Sequence, residues 1–106
     1  HKRMNKVTVD YMLCGYLLDK KLDLFVREIT KHYAVNDSVS LPKHYEEALL
    51  LYTHLHSTPY IIYKNDVMNA DFQDFQKLEN TILSAQRKTA LRDTYGNTYW
   101  YYYQYE

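Results

Sequence analysis

Apolar residues recur near the start of the chain at the spacing of an α-helix. Val7, Tyr11, Cys14 and Leu18 follow the i, i+4, i+7, i+11 pattern that places side chains on one helical face. The pattern predicts a first helix from Val7 to Leu18, with this stripe turned toward the core. Cys14 is then expected to be a small buried residue, and as the single cysteine it forms no internal disulfide.

A second apolar stripe begins after the polar stretch Asp19-Lys20-Lys21 and predicts a helix that packs back on the first. Asn36-Asp37-Ser38 is a turn-forming cluster that separates this helix from the next one. The second stripe consists of Leu22, Phe25, Val26, Ile29 and Tyr33.

The third helix has the most distinct start in the sequence. Ser40 is an N-cap candidate just before Pro42, and a proline in the first helical turn lacks an N–H that would have no partner there. Ser57-Thr58-Pro59 ends this helix. Its predicted apolar face consists of Tyr45, Ala48, Leu49, Tyr52 and Leu55.

The run that follows, residues 60–63, is rich in residues that favour β-strands. It is too short to stand alone, and the sequence offers no evident partner strand. We therefore predict an extended connector that places Ile61 and Ile62 in the core.

Two further helices are predicted in the second half of the chain. Asn69 or Asp71 caps the fourth helix, which ends near Ser84. A short helix through residues 90–91 ends at Gly96, since a glycine tolerates the positive φ of a C′ residue. The stripe of the fourth helix is Phe72, Phe75, Leu78 and Ile82.

Local rules disagree over the last segment, Thr98 to Tyr105. Tyr95, Tyr99 and Tyr102 fit one face of a helix, but every second residue from 99 to 105 is also a tyrosine, as in a strand. We predict a helix, because no other segment offers a strand with which this one could pair.

These elements predict an all-α fold of about five to six helices in antiparallel hairpins, forming one domain over residues 1–106. The block of residues 45–52, followed by Pro59, resembles the second helix of a tetratricopeptide repeat, in which Ala48 lets two helices approach closely. The apolar positions do not keep the strict period of about 34 residues. We therefore expect a tetratricopeptide-like right-handed stack.

Composition and charge exclude several classes of partner. Two glycines and two prolines in 106 residues argue against an all-β fold. Thirteen basic residues balance thirteen acidic ones, so no strong field attracts nucleic acid or acidic membranes. No apolar run reaches the roughly 20 residues that span a bilayer, and we predict no membrane insertion by this segment.

Because position 1 is His rather than Met, we expect a fragment of a longer chain.

A resemblance to a known family rests on three blocks, LLDKKLDLF (17–25), LPKHYEEALLLY (41–52) and YGNTYWYYY (95–103). Together they resemble the C-terminal helical region of a family of uncharacterised proteins from Bacteroidetes. The resemblance implies an all-helical module that other segments precede, membrane spans among them. It is compatible with an extracytoplasmic part of a membrane-anchored bacterial protein, and it transfers no active site.

No residue pattern points to a metal, cofactor or catalytic site. His54 and His56 are two positions apart and lie on different faces of a helix, whereas paired zinc ligands on a helix are three or four positions apart. No nucleophile-and-base motif accompanies Cys14, and no glycine-rich loop could bind phosphate. We predict no enzyme and no cofactor, and expect solvated or helix-end roles for His32, His44, His54 and His56.

The tyrosine-rich tail is the most unusual feature of the sequence. Tyr accounts for 13 of the aromatic residues, against 3 Phe and 1 Trp. Its rings combine apolar area with a polar group, so three roles are open: packing in the core, a protein interface, or a platform for sugar rings. The candidate interface or platform residues are Tyr95, Tyr99, Trp100, Tyr102 and Tyr103.

The leading functional prediction is a non-enzymatic, helical-repeat-like module for protein association or scaffolding in a larger, envelope-associated protein. Its expected partners are another protein, the rest of the parent chain or a second copy of this chain. The alternative is a carbohydrate- or small-ligand-binding unit that uses the Tyr/Trp-rich tail.

Overall fold

The computed structural model describes residues 5–35 and 40–106, which form helices and connecting segments without a strand. This confirms the all-α class, the number of helices and the helical prediction for the tail. The predicted turn at Asn36-Asp37-Ser38 lies outside the described residues. The helices are α1 Lys6–Leu18, α2 Leu22–His32, α3 Lys43–Leu55, α4 Asp66–Thr81, α5 Ser84–Tyr95 and α6 Tyr99–Tyr105.

The last helix of the chain occupies the middle of the fold. α1 packs on α2, as the sequence predicts, and α2 packs on α3. α6 then packs on α3, and α5 contacts both α6 and α4. The spatial order is therefore α1, α2, α3, α6, α5, α4, in a molecule of 53 × 24 × 23 Å.

The core is densest around α3, which has neighbours on two sides. Seven of its thirteen residues are buried, and they lie on more than one face of the helix. A helix that is apolar around most of its circumference needs cover on several sides. α2 and α6 supply that cover. The buried residues of α3 are Tyr45, Glu47, Ala48, Leu49, Leu50, Leu51 and Tyr52.

The inward face of α1 differs from the predicted one. Val9, Leu13 and Leu17 are buried and form the contact with the rest of the protein. The stripe predicted to turn toward the core is exposed instead, so that prediction is wrong for all four residues. The reason is that α1 carries apolar residues on opposite faces, and periodicity alone does not show which one packs. The exposed stripe is Val7, Tyr11, Cys14 and Leu18.

The start of α3 also differs from its prediction. Ser40 lies outside the helix, and Pro42 is the N-cap residue, with no side-chain hydrogen bond to the helix. The Glu46 carboxylate stabilises this end from within, because its Oε2 accepts a hydrogen bond from the Leu41 N–H at 3.3 Å. The proline marks the helix start, but Ser40 does not cap it.

α4 begins earlier than the sequence pattern indicates. Asn65, rather than Asn69 or Asp71, is the N-cap, and its Oδ1 accepts a hydrogen bond from the Met68 N–H at 3.0 Å. The buried positions of α4 begin only at Phe72, so a prediction made from the buried stripe misses the first turns.

The connector before α4 forms no strand and bends at Tyr60 and Ile61, and only one of its two isoleucines packs on the core. Ile61 is half-buried, whereas Ile62 is 65% exposed. The prediction that both isoleucines lie in the core is therefore wrong for Ile62. Tyr63 is buried, and its hydroxyl donates to Glu46 Oε2 at 2.8 Å.

Gly96 ends α5 as predicted, but for a different reason. Its φ is −60°, so the left-handed conformation is not what selects glycine here. A Cβ at this position would lie 2.5 Å from the backbone oxygen of Arg92. Close approach of the backbone therefore explains the glycine.

Candidate functional site

The tail reaches the centre of the molecule through hydrogen bonds that span most of the chain. Trp100 is 2% exposed, and its Nε1 donates to the backbone oxygen of Glu47 at 2.9 Å. Its ring lies 5.1 Å from the ring of Phe72 and 6.1 Å from that of Phe75, measured between centroids. Trp100 therefore joins α3, α4 and α6, and its ring is enclosed by protein.

Glu47 is a buried carboxylate at the same junction. Its Oε1 accepts a hydrogen bond from the Tyr99 N–H at 3.0 Å, at the first residue of α6. The same carboxylate contacts His44 Nδ1 and Lys43 Nζ, each at 2.8 Å. A buried carboxylate is tolerable only with such partners, and a negative charge at a helix start also stabilises that helix. Glu47 thus attaches α6 to α3.

A second polar group lies where α1 meets α2 and α3. Asp10 Oδ1 accepts hydrogen bonds from the hydroxyls of Tyr33 at 2.6 Å and Tyr45 at 2.9 Å. Burial and the hydrogen bond to Asp10 raise the pKa of Tyr33 to about 12, and the same causes raise the pKa of Tyr45 further. The Cys14 sulfur lies 3.8 Å from the Tyr45 hydroxyl. Both tyrosines are therefore neutral donors at physiological pH.

An open cleft of about 650 Å³ lies between α1, the start of α3 and the turn into α6. Its volume falls within the range of roughly 300–1,000 Å³ that is typical of small-molecule sites. Asp10, Cys14, Lys43, His44 and Tyr45 supply the polar groups on its α1 and α3 sides. Apolar and aromatic surface comes from Leu17, Leu18, Pro42, Tyr99 and Tyr102.

The outward face of α1 adjoins this cleft, since Cys14 and Leu18 belong to both. Val7 is 78% exposed, Tyr11 84% and Leu18 63%. None of the residues on this face carries a charge. We call it the α1 outer face and define it as Val7, Thr8, Tyr11, Cys14, Gly15 and Leu18.

The five candidate tail residues do not form one exposed platform. Tyr99 and Trp100 are buried, and Tyr95, Tyr102 and Tyr103 are half-buried. Tyr99 donates its hydroxyl to the backbone oxygen of Leu17 at 2.6 Å, and burial raises its pKa. Tyr99 and Tyr102 line the cleft, while Tyr103 borders a smaller cleft of about 330 Å³ and Tyr95 packs edge-on against Phe75. Trp100 lines neither.

The four described histidines lie at separate places. His44 contacts Glu47, and His32 Nε2 lies 3.8 Å from a Glu28 oxygen. His54 Nε2 is 3.0 Å from Asn69 Oδ1, and His56 Nε2 is 3.5 Å from Asp23 Oδ1. Over residues 5–35 and 40–106, no group of three or more His, Cys, Asp or Glu side chains is arranged to hold a metal ion.

The sequence pattern did not identify the role of Glu47. The signal that could have located it is position: Glu47 lies between Tyr45 and Ala48 on a helix whose neighbouring positions are mostly apolar. Asp10 was missed in the same way, as a lone acid within an apolar helix.

In the part of the chain that the structure describes, no helix has the length and apolar character needed to cross a membrane.

Comparison with known proteins places the chain in a family without assigning an activity. The model of a family described as "Family of unknown function (DUF6057)" matches residues 1–106, and the chain belongs to that family. No curated protein and no solved structure matches it.

Proposed function

We propose that this chain is a non-enzymatic helical module that mediates protein association or scaffolding. The observation that carries the proposal is the α1 outer face, an uncharged and exposed surface in a chain of which 25% of the residues are charged. Contiguous exposed apolar surface on a folded protein coincides with an interaction site more often than expected by chance.

The energetics of this face favour a covering partner. Burying a Val, Leu or aromatic side chain stabilises a complex by about 1.5–3 kcal/mol before the cost of association is subtracted. Val7, Tyr11 and Leu18 together expose most of their side-chain surface along about 16 Å of helix. A second helix laid on α1 would cover all three, which is the usual way in which a helical groove or face recognises an amphipathic partner.

The adjoining cleft extends the surface beyond α1. Leu18 borders both, and Pro42 and Tyr102 continue the apolar border on the far side. A partner seated on α1 could place a side chain in the cleft. Interfaces gain much of their affinity from side chains that enter such depressions.

The resemblance of residues 17–25, 41–52 and 95–103 to a family of uncharacterised proteins supports a wider proposal about the parent protein. We infer that the chain is the C-terminal helical region of a larger Bacteroidetes protein that is associated with the cell envelope. Sequencing the complete reading frame tests this, because a preceding membrane span is expected and its absence would count against envelope association.

Photo-crosslinking tests the association proposal directly. A photoreactive phenylalanine analogue replaces Tyr11 in the parent protein within the expressing cell, and the matched control replaces Val67, which is 78% exposed on α4. Protein adducts are expected from position 11 and not from position 67. Equal labelling from both positions, or none from position 11, would contradict the proposal.

A second function, small-ligand binding, is favoured by the cleft and not by the tail as a whole. Its volume and its Tyr99 and Tyr102 rings suit a sugar or a small apolar molecule. Trp100 is unsuitable as the test residue, because replacing a core side chain would unfold the protein. Amide chemical shifts of Leu17, Leu18 and Asn97 should instead move saturably when the ligand is titrated; shifts elsewhere would refute this site.

A further inference from the structure

We infer that the α1 outer face pairs with the same face of a second copy, with the two α1 helices antiparallel. This inference rests on the proposed function and names the partner for its surface. It is carried by the arrangement of large and small residues on the face and by its lack of charge.

Four of the six positions of the face are placed symmetrically along the helix. Val7 and Leu18 are equally distant from the midpoint between Met12 and Leu13, and so are Tyr11 and Cys14. A two-fold axis through that midpoint would set Val7 against the second copy's Leu18. It would also set Tyr11 against the second copy's Cys14. Two-fold interfaces require this reciprocity.

The facing residues also complement each other in size. Tyr11 is the largest residue of the face, and the position that it would meet holds Cys14, next to Gly15. A Cβ at Gly15 would have nothing within 4 Å, so the space above this glycine is open. Large residues opposite small ones let helices pack at the usual interaxial distance of about 8–10 Å.

Charge does not oppose the pairing. None of the six residues of the face is charged, and the chain as a whole has a formal net charge of zero at neutral pH. The same axis sets Gly15 against the second copy's Asp10, whose Oδ1 already accepts hydrogen bonds from the Tyr33 and Tyr45 hydroxyls. Two copies therefore meet without the repulsion that keeps highly charged proteins apart. A partner protein with a charged helix would leave charges without counterparts on this face.

The area sets the expected strength. α1 has 13 residues and is about 20 Å long, so its face is smaller than the roughly 800 Å² per partner of a typical stable interface. The cleft border at Leu18 and Tyr102 adds some surface at each end. We therefore expect a weak dimer, with a Kd on the order of 0.1 mM.

Sedimentation equilibrium of the 106-residue chain, from about 10 μM to about 1 mM, measures this Kd. The test variant is Val7→Glu and the matched control is Val67→Glu. Both valines are 78% exposed and are the second residue of a helix whose asparagine N-cap accepts a backbone N–H. The substitution should raise the Kd at least about tenfold at position 7 and leave it unchanged at position 67.

Two results would overturn the inference: a wild-type chain that is monomeric at about 1 mM, or an equal effect of both substitutions. Photo-crosslinking from position 11 separates these failures from failure of the proposed function. Adducts with the chain itself support self-pairing. Adducts with a different protein alone overturn it while leaving the association proposal intact.

Disulfide formation between variants tests the antiparallel register. Val7→Cys and Leu18→Cys are each made together with Cys14→Ser, and the two chains are oxidised separately and as a mixture. Positions 7 and 18 are about 16 Å apart along one helix, so each variant alone should crosslink poorly and the mixture efficiently. Efficient crosslinking of either variant with itself would overturn the register.

Discussion

Removing the buried carboxylate of Glu47 should separate the contribution of its burial from that of its ion pairs. In Glu47→Ala the Tyr99 N–H loses its acceptor at a buried position, which costs roughly 1–3 kcal/mol, and a cavity adds to the loss. Lys43 and His44 have side chains that are 56% exposed, so they can turn to solvent and contribute little. The expected destabilisation is therefore about 2–4 kcal/mol.

Glu28 provides a matched control on α2. Like Glu47, it contacts a lysine and a histidine of its own helix, which are Lys31 at 3.1 Å and His32 at 3.8 Å. The Glu28 side chain is 25% exposed, whereas that of Glu47 is 2% exposed. Within residues 5–35 and 40–106, Glu28 accepts no backbone N–H from another helix. Glu28→Ala should cost less than about 0.5 kcal/mol, as exposed ion pairs do.

Chemical unfolding followed by tryptophan fluorescence measures both variants. Trp100 is the single tryptophan, and it is buried at the α3–α6 junction that Glu47 holds. Glu47→Gln keeps an acceptor for the Tyr99 N–H and should cost about half as much as Glu47→Ala. If the unfolding free energies of Glu47→Ala and Glu28→Ala differ by less than about 0.5 kcal/mol, the buried Glu47 carboxylate does not stabilise the α3–α6 junction as proposed.

Further predictions concern the glycines and the tyrosines. Gly15→Ala should stabilise the monomer by about 0.5–1 kcal/mol, because alanine favours a helix over glycine and the added methyl group contacts nothing. Gly96→Ala should destabilise the monomer, because the added methyl group would contact the Arg92 backbone oxygen. Thermal unfolding at low protein concentration shows the sign of each change. The pKa values of Tyr33 and Tyr105 are raised from 10.0 to about 12, so their stabilisation is complete below pH 10 and is lost as the pH rises through about 12. Unfolding free energies measured across that window should fall with pH in the wild type and fall less in a Tyr33→Phe, Tyr105→Phe double variant; equal slopes would show that these hydroxyls are not the cause.

The helices were predictable wherever one apolar face faces the core. α2 shows this, because Leu22, Phe25, Val26 and Ile29 are the buried residues that its stripe indicates. Helix starts were harder to predict, since they depend on side chains that several segments could supply. Asn65, Asn69 and Asp71 are all chemically able to cap α4, and the packing of the preceding connector decides between them.

The candidate site could be predicted only in part, because its polar residues act across long sequence separations. Glu47 and the Tyr99 N–H are 52 residues apart, and Tyr99 donates to Leu17 across 82 residues. Nothing in a local pattern specifies which helix α6 will contact. The sequence therefore left the tail open between core packing and an exposed surface, and the structure buries Tyr99, Trp100 and Tyr101.

The wrong face of α1 and the proposed pairing have the same physical origin. A helix that packs on one side only normally carries polar residues on the other, but α1 has Leu13 and Leu17 on its inner face and Tyr11 and Leu18 outside. The helical spacing thus identified an apolar face correctly, but the prediction that this face packs on the core of its own chain was wrong. If a second copy covers this face, Val7, Tyr11, Cys14 and Leu18 are buried by that copy and not by the core of their own chain. Exposure of Cys14 to a thiol reagent offers a direct check: its rate of modification should fall as protein concentration rises through the Kd, and the Val7→Glu variant should abolish that dependence.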